Sequence, residues 1–226
     1  TIVTVAGTGV RGFGGDGGSA TNALLNTPYD VALDRAGNIF IADYNNTRIR
    51  RVDTVTGVIS TIAGTGVNGF SGDNGPATNA KLTKPAGVFS TTTGDVLIAD
   101  TGNNRVRRVV GTTGTISTLA GTGTGGYNGD GILATTARIA SPNSTLQDAA
   151  GNVYIADYAN DRIRMVDAVS AIVSTVAGTT TSGFSGDGGL ANLANISGPT
   201  GMAMDAQGNL FFSDLFNNRV RKVDTN

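Results

Sequence analysis

The feature that most constrains this chain is that it is one unit written four times. Thr4-Val5-Ala6-Gly7 returns as Thr61-Ile62-Ala63-Gly64, Thr118-Leu119-Ala120-Gly121 and Thr175-Val176-Ala177-Gly178, each 57 residues after the last. Ala42-Asp43 recurs on the same step as Ala99-Asp100, Ala156-Asp157 and Ser213-Asp214, and a proline recurs at Pro28, Pro85, Pro142 and Pro199. No insertion shifts the register. A fixed period of this length makes each repeat one supersecondary module that buries its apolar face against its neighbours. The repeats run about 1–57, 58–114, 115–171 and 172–226, and the sequence reads as a single domain.

Within each repeat the apolar period is two, as in strands. The second repeat shows it in Gly87-Val88-Phe89-Ser90, Val96-Leu97-Ile98-Ala99-Asp100, Arg105-Val106-Arg107-Arg108-Val109 and Ile116-Ser117-Thr118-Leu119-Ala120, with glycine turns between. Four short antiparallel strands per repeat predict an all-β fold, a β-propeller of four-stranded blades. No stretch holds a helical period beyond about two turns, which excludes a helical solenoid. The long connection predicts one short helical turn at Ser19-Ala20-Thr21-Asn22-Ala23-Leu24, with Ser19 or Asp16 as its N-cap and alanines three apart lying on the blade below. The chain opens on a fourth strand, Ile2-Val3-Thr4-Val5, and closes on a third, Arg219–Val223. In that phase the N-terminal strand is expected to complete the last blade and close the ring; the alternative is four blades of a larger ring, six-bladed for example.

Pro28-Tyr29-Asp30-Val31-Ala32-Leu33-Asp34, Gly37-Asn38-Ile39-Phe40-Ile41-Ala42-Asp43 and Asn46-Thr47-Arg48-Ile49-Arg50 carry a pattern that the last repeat shows again from Pro199 to Asp214. These residues resemble the NHL-repeat β-propellers, and the resemblance covers the whole chain. It departs from the family in three ways. The family's histidine is absent, the repeats are longer through a G-F-S-G-D-G-G-x-A insertion, and Pro142–Asp148 degenerates.

Composition removes several chemistries. The chain has no cysteine and no histidine, so disulfides, thiolate nucleophiles, histidine bases and histidine-ligated metals are all out of reach. The metal site of the family's amidating lyase depends on histidine and has no counterpart here. A net charge of −1 supplies no field towards nucleic acid, and no apolar run approaches the roughly 18 residues that span a bilayer. Scarce lysine beside abundant glycine and threonine favours a secreted or cell-surface protein.

Gly7-Thr8-Gly9-Val10-Arg11-Gly12 spells the dinucleotide pattern, but it recurs in every repeat, opens no long helix and loses its middle glycine in the fourth. It is read as a tight exit from the outer strand through positive φ, and no cofactor is expected. Phe13, Phe70, Tyr127 and Phe184 each precede an aspartate by three residues: Asp16, Asp73, Asp130 and Asp187. These are weak calcium candidates, one carboxylate per loop where calcium wants several oxygens; the alternative is an aromatic plug with Asp tying down backbone N–H groups. Asp43, Asp100, Asp157 and Asp214 are expected to make structural ties to Arg48, Arg105, Arg162 and Arg219 across a tight turn, because catalytic carboxylates are not retained identically in every blade. Eleven of the sixteen basic residues fall in third strands. Alternation places Arg48 and Arg50 with Val52, which predicts packed or paired guanidiniums between blades. Sequons at Asn45, Asn143 and Asn195 are candidate glycan acceptors.

Antiparallel order puts the fourth-to-first connections and the second-to-third turns on one rim, where loops on a rigid scaffold bind. The expected function is a non-catalytic scaffold binding protein or glycan through that rim. The alternatives are a self-associating building block of a surface assembly, and a metal-dependent hydrolase or lyase using Asp34, Asp148 and Asp205, with Thr91 breaking the ring.

Overall fold

A computed structural model describes residues 1–225. Strands and single 3-10 turns make up its regular structure. In the first blade β1 (Pro28–Leu33), β2 (Ile39–Asp43), β3 (Arg48–Val52) and β4 (Ile59–Ala63), the last from the start of the second repeat, form a sheet in chain order. The second blade has β5 (Gly75–Pro76), β6 (Gly87–Ser90), β7 (Val96–Asp100), β8 (Arg105–Val109) and β9 (Thr115–Ala120), ordered β5-β9-β8-β7-β6. The third has β10 (Ile132–Leu133), β11 (Thr145–Gln147), β12 (Val153–Asp157), β13 (Arg162–Val166) and β14 (Ile172–Ala177), in the same arrangement. The fourth stops at three, β15 (Pro199–Met204), β16 (Leu210–Asp214) and β17 (Arg219–Val223). These are propeller blades on the 57-residue step, the outer strand of each of the first three coming from the start of the next repeat.

Local chemistry sets the turns. Asp34 at the end of β1 accepts from Ala36 N and Asn38 N, which lets Gly37 turn at φ +84°. Between the second and third strands of the blades, a 3-10 turn such as Tyr44–Asn46 ends on a left-handed residue: Thr47, Asn104, Asp161 or Asn218. Asn and Asp tolerate that conformation because their short side chains bond locally.

The chain divides into two compact units, residues 1–103 with 107–117, and residues 104–106 with 118–226. In the first, Phe40, Ala42, Ile49, Ala63, Leu82, Val88, Ile98 and Ile116 form one buried cluster, with β1 packed on β6. In the second, Ile139, Ile155, Ile163, Val173 and Ile196 are fully or almost fully buried.

Two expectations are corrected. The connection is more than a rim loop, because part of it covers the outer edge of its own blade. β5 pairs with β9, β10 with β14, and Ser19 bridges Val58. An edge strand left open would template unwanted pairing, and the two-residue strands containing Pro76 or preceding the Ala134 turn cover it. In the same segment the 3-10 turn Ala20–Asn22 forms without a side-chain cap from Ser19, and buried Ala20 and Ala23 seat it. The second correction concerns closure. Ile2–Val5 form no ladder, Ile2 is 98% exposed, and β17 has no strand on its outer side among the described residues. Phase identifies Ile2–Val5 as an outer strand but does not say which sheet receives it.

Candidate functional site

Each blade is built around a buried ion-pair ladder that holds its rim. In the first, Asp43 at the end of β2 is fully buried. Its Oδ1 accepts from Asn26 N (2.8 Å), and its Oδ2 accepts from Asn46 Nδ2 (2.8 Å) and Arg50 Nη1 (3.2 Å). Arg50, also fully buried, donates its other nitrogen to Asp16 Oδ1 at 2.6 Å and to Gly14 O at 3.2 Å. Phe13 lies over the guanidiniums of Arg48 and Arg50, at 3.6 and 5.0 Å from the ring centroid. A bulge opposite Ile49/Arg50 turns Thr61 so that its hydroxyl reaches Asp16 Oδ2 at 2.7 Å.

The pattern returns in all four repeats. Arg107 bridges Asp100 (3.4 Å) and Asp73 (2.5 Å), Arg164 bridges Asp157 (3.6 Å) and Asp130 (2.8 Å), and Arg221 bridges Asp214 (3.5 Å) and Asp187 (2.7 Å). Burial pushes the carboxyls of Asp100 and Asp157 up to about 6, against the N–H and arginine donors that hold them.

The expected ties therefore change partner. Asp43, Asp100, Asp157 and Asp214 pair with the arginine seven residues on, not with Arg48, Arg105, Arg162 and Arg219 five residues on. Asp43 and Arg48 face each other directly across the ladder at the strand end. A long guanidinium reaches back to a carboxylate from the diagonal position, roughly 7–8 Å away between strands, and a directly opposed one extends past it. Arg48 instead donates to Asn46 O (3.1 Å) and Thr65 O (2.6 Å).

That second bond explains the glycine pattern. Gly64 and Gly66 adopt φ +95° and +85°, and a Cβ on Gly66 would overlap the Arg48 guanidinium. Gly123 holds Arg105 in the same way, with Arg105 Nη2 on Thr122 O at 2.5 Å. Gly-Thr-Gly is a socket for an arginine, so positive φ and close approach both require glycine.

The weak calcium candidates Asp16, Asp73, Asp130 and Asp187 are each the acceptor of a blade arginine. No group of three or more His, Cys, Asp or Glu side chains able to hold a metal occurs among the described residues. Asp34, Asp148 and Asp205 cap the turns after their strands, each accepting two backbone N–H groups and an asparagine amide; the Asn38, Asn152 and Asn209 amides do this at 2.8 Å. Of the sequon asparagines, Asn45 is exposed and donates to Thr27 Oγ1, whereas Asn143 and Asn195 are half-buried. Asp30, single among the repeats, accepts from Val88 N and is pushed up by burial.

Within each blade the two loops of the rim are bonded together. Asn46 and Asn103, from the turns after β2 and β7, donate to Gly12 O and Gly69 O of the connections at 2.6 and 2.7 Å. Asn160 and Asn217 do the same to Gly126 O and Gly183 O. The glycine-rich loops then present apolar side chains to solvent: Val10, Phe13, Val67 and Phe70 in the first unit, Phe184 in the second. The resulting surface can bind, and its ladder carboxylates are occupied by arginines. The alternation rule anticipates the buried arginines. The Thr61 hydroxyl is a ladder member sequence reasoning missed, although threonine recurs there at Thr4, Thr118 and Thr175.

Residues 5–71 match the family model of the Teneurin NHL domain. That match spans under half of the chain and supports a propeller of the NHL-repeat kind. Among curated relatives, the chain is 36% identical over 97 residues to Protein SUPPRESSOR OF QUENCHING 1, chloroplastic, of Arabidopsis thaliana, covering 43% of the chain and 9% of that protein. It is 33% identical over 100 residues to human Teneurin-4, covering 39% of the chain and 4% of that protein. Among solved structures, an auxiliary nutrient binding protein from Bacteroides ovatus superposes with a TM-score of 0.63 at 19% identity, covering 88% of this chain and 48% of that one. A streptogramin B lyase superposes at 0.58 and 14% identity, covering 88% and 51%. The chain thus spans less than a tenth of these curated relatives and about half of these structures, whose likeness shows the fold.

Proposed function

We propose that this chain is a non-catalytic scaffold that binds protein or glycan through its loop-rich rim, displayed outside the cell. One observation carries the reading. A rigid ladder of buried arginines holds glycine loops whose tips expose Val10 (64%) and Val67 (54%) beside half-exposed Phe13 and Phe70, and isolated apolar tips repeated on a fixed scaffold suit contact with a partner. The match to the Teneurin NHL domain and the likeness to a nutrient binding protein support binding over catalysis. The engagement of Asp34, Asp148 and Asp205 in their own turns supports it too.

The test is a glycan microarray and a panel of immobilised extracellular proteins, probed with the chain and with Val10→Asp/Val67→Asp. Both changes lie on exposed tips and leave the ladder intact. The expected result is selective retention lost in the variant. Absence of retention on either panel, or retention that the variant keeps, overturns the rim reading.

A further inference from the structure

The arginine socket is complete in the first two blades and broken in the third. Arg48 Nη2 donates to Thr65 O at 2.6 Å and Arg105 Nη2 to Thr122 O at 2.5 Å, beside Gly66 and Gly123 at positive φ. On the 57-residue step the next pair is Arg162 and Thr180. Thr180 stays out of the left-handed region that those glycines occupy, as a β-branched side chain requires. The loop departs from the pattern one residue earlier. Thr65 N and Thr122 N donate to Ala80 O and Ala137 O, a bond with no counterpart at Thr179 among the described residues. Arg162 keeps the bond from Nη1 to Asn160 O at 3.1 Å, but its Nη2 and its buried Nε have no acceptor among the described residues. Arg162 is nevertheless only 5% exposed, whereas Arg48 and Arg105 are half-buried.

Arg162 lines a pocket of about 280 Å³ together with Tyr127, Thr175, Thr179, Thr180 and Asn192, all within the second unit. Three of these residues break the repeat. Tyr127 stands where the other copies have Phe13, Phe70 and Phe184, and Thr180 where the earlier ones have Gly9, Gly66 and Gly123. Asn192 replaces the threonine of Thr21, Thr78 and Thr135. Each change adds a polar group, and all three meet in one pocket, which is how a site is grafted on one blade of a repeated scaffold. Asp130, on the pocket wall, is already engaged. It accepts from Arg164 Nη2 (2.8 Å), Thr175 Oγ1 (3.2 Å) and Tyr127 OH (3.1 Å). The Tyr127 ring lies 4.0 Å from the Arg162 guanidinium and covers one of its faces. The guanidinium of Arg162 is left with donors to spare, beside the exposed side chains of Thr180 and Asn192.

We propose that this pocket binds an acidic sugar, a uronic acid unit of a glycan, by its carboxylate. Arg162 Nη2 donates to a carboxylate oxygen, a charge-assisted bond that supplies the acceptor its counterparts take from the backbone. The Thr180 hydroxyl and the Asn192 amide each donate and accept, which matches the hydroxyls of a sugar ring. An acidic peptide side chain brings methylenes to the same place and leaves those groups unpaired. The volume takes one ring, at the lower edge of the pockets that hold small molecules. Asp130 is paired with Arg164, so the incoming carboxylate meets no uncompensated negative charge on that wall. The inference deepens the rim reading, and rests on it for the face that meets a ligand.

Titration of the full chain with glucuronate, glucose and acetate, followed by 15N NMR in a carboxylate-free buffer, tests it. Glucuronate is expected to give saturable shifts at Thr179 and Thr180, and to bind at least about tenfold more tightly than glucose or acetate. Two variants install residues that other repeats already carry, so the fold is kept. Thr180→Gly restores the socket, returns Arg162 to Thr179 O, and is expected to weaken glucuronate by at least about tenfold. Tyr127→Phe/Asn192→Thr is expected to narrow the preference for glucuronate over acetate. Acetate or glucose binding as well as glucuronate, or Thr180→Gly binding like wild type, overturns the proposal. Val10→Asp/Val67→Asp, in the first unit, is expected to leave glucuronate binding unchanged, which separates the two readings. A chain that holds a panel ligand through those tips yet shows no saturable shift with glucuronate overturns the pocket alone. Glucuronate binding without panel retention supports the pocket and overturns the apolar tips.

Discussion

Arg107→Met isolates the ladder. Arg107 is fully buried and joins the fully buried Asp100 to the partly exposed Asp73. Methionine fills most of the volume but leaves the Asp100 carboxylate to neutral donors such as Asn103 Nδ2 and Thr83 N. Breaking a buried pair on one side costs about 3–5 kcal/mol, because the remaining charge is uncompensated. Arg48→Met removes bonds to two carbonyls and a ring contact but strands no buried carboxylate, so its cost is about 1–2 kcal/mol. The two losses also differ in pH dependence. Asp100 already titrates above its unfolded value, and without Arg107 it titrates higher still, so neutralising it by protonation relieves the variant at low pH. Urea denaturation at pH 5 and pH 8 is therefore expected to show a larger Arg107→Met deficit at pH 8 and an Arg48→Met deficit that hardly changes. Adding Asp100→Leu to Arg107→Met is expected to recover much of the loss. An Arg107→Met cost below about 1 kcal/mol at both pH values would refute the ladder as the blade's internal tie.

Gly66→Ala and Gly9→Ala share a left-handed φ, but only the first places a Cβ on a guanidinium. Gly66→Ala is expected to destabilise by at least about 1 kcal/mol more than Gly9→Ala, measured by thermal unfolding at low protein concentration. For wild type, Asp100 and Asp157 contribute stability that is full below about pH 3.8 and lost as pH rises to about 6, since their folded values are raised. Asp34, Asp53, Asp167 and Asp205 are held below the usual range by turn hydrogen bonds and act in the opposite sense, losing their contribution as pH falls below about 4. Asp100→Asn/Asp157→Asn is accordingly expected to flatten the decline between pH 4 and 6, read from melting temperatures over that range.

Period and alternation made the blades legible, because a 57-residue repeat with strand-length apolar runs has few other solutions. They also placed Arg50 on an inward side. What they left unread depends on geometry between segments distant in sequence. The choice of Arg50 over Arg48 for Asp43 turns on side-chain reach at a strand end. The glycine sockets turn on a guanidinium arriving from another strand, which no local pattern shows. Strand phase identified Ile2–Val5 as an outer strand, but phase alone does not say which sheet receives it. The short strands β5 and β10 escaped because two residues, one of them proline in β5, carry no periodicity.

The account's central claim is that each 57-residue repeat is one blade locked by its own buried ladder. Hydrogen–deuterium exchange read by mass spectrometry tests it directly. Slow exchange is predicted to recur on the 57-residue step, at Ile41–Asp43, Ile98–Asp100, Ile155–Asp157 and Phe212–Asp214, with residues 2–5 exchanging fast. Protection that ignores the 57-residue step, or that spares the strands ending in these aspartates, would contradict it.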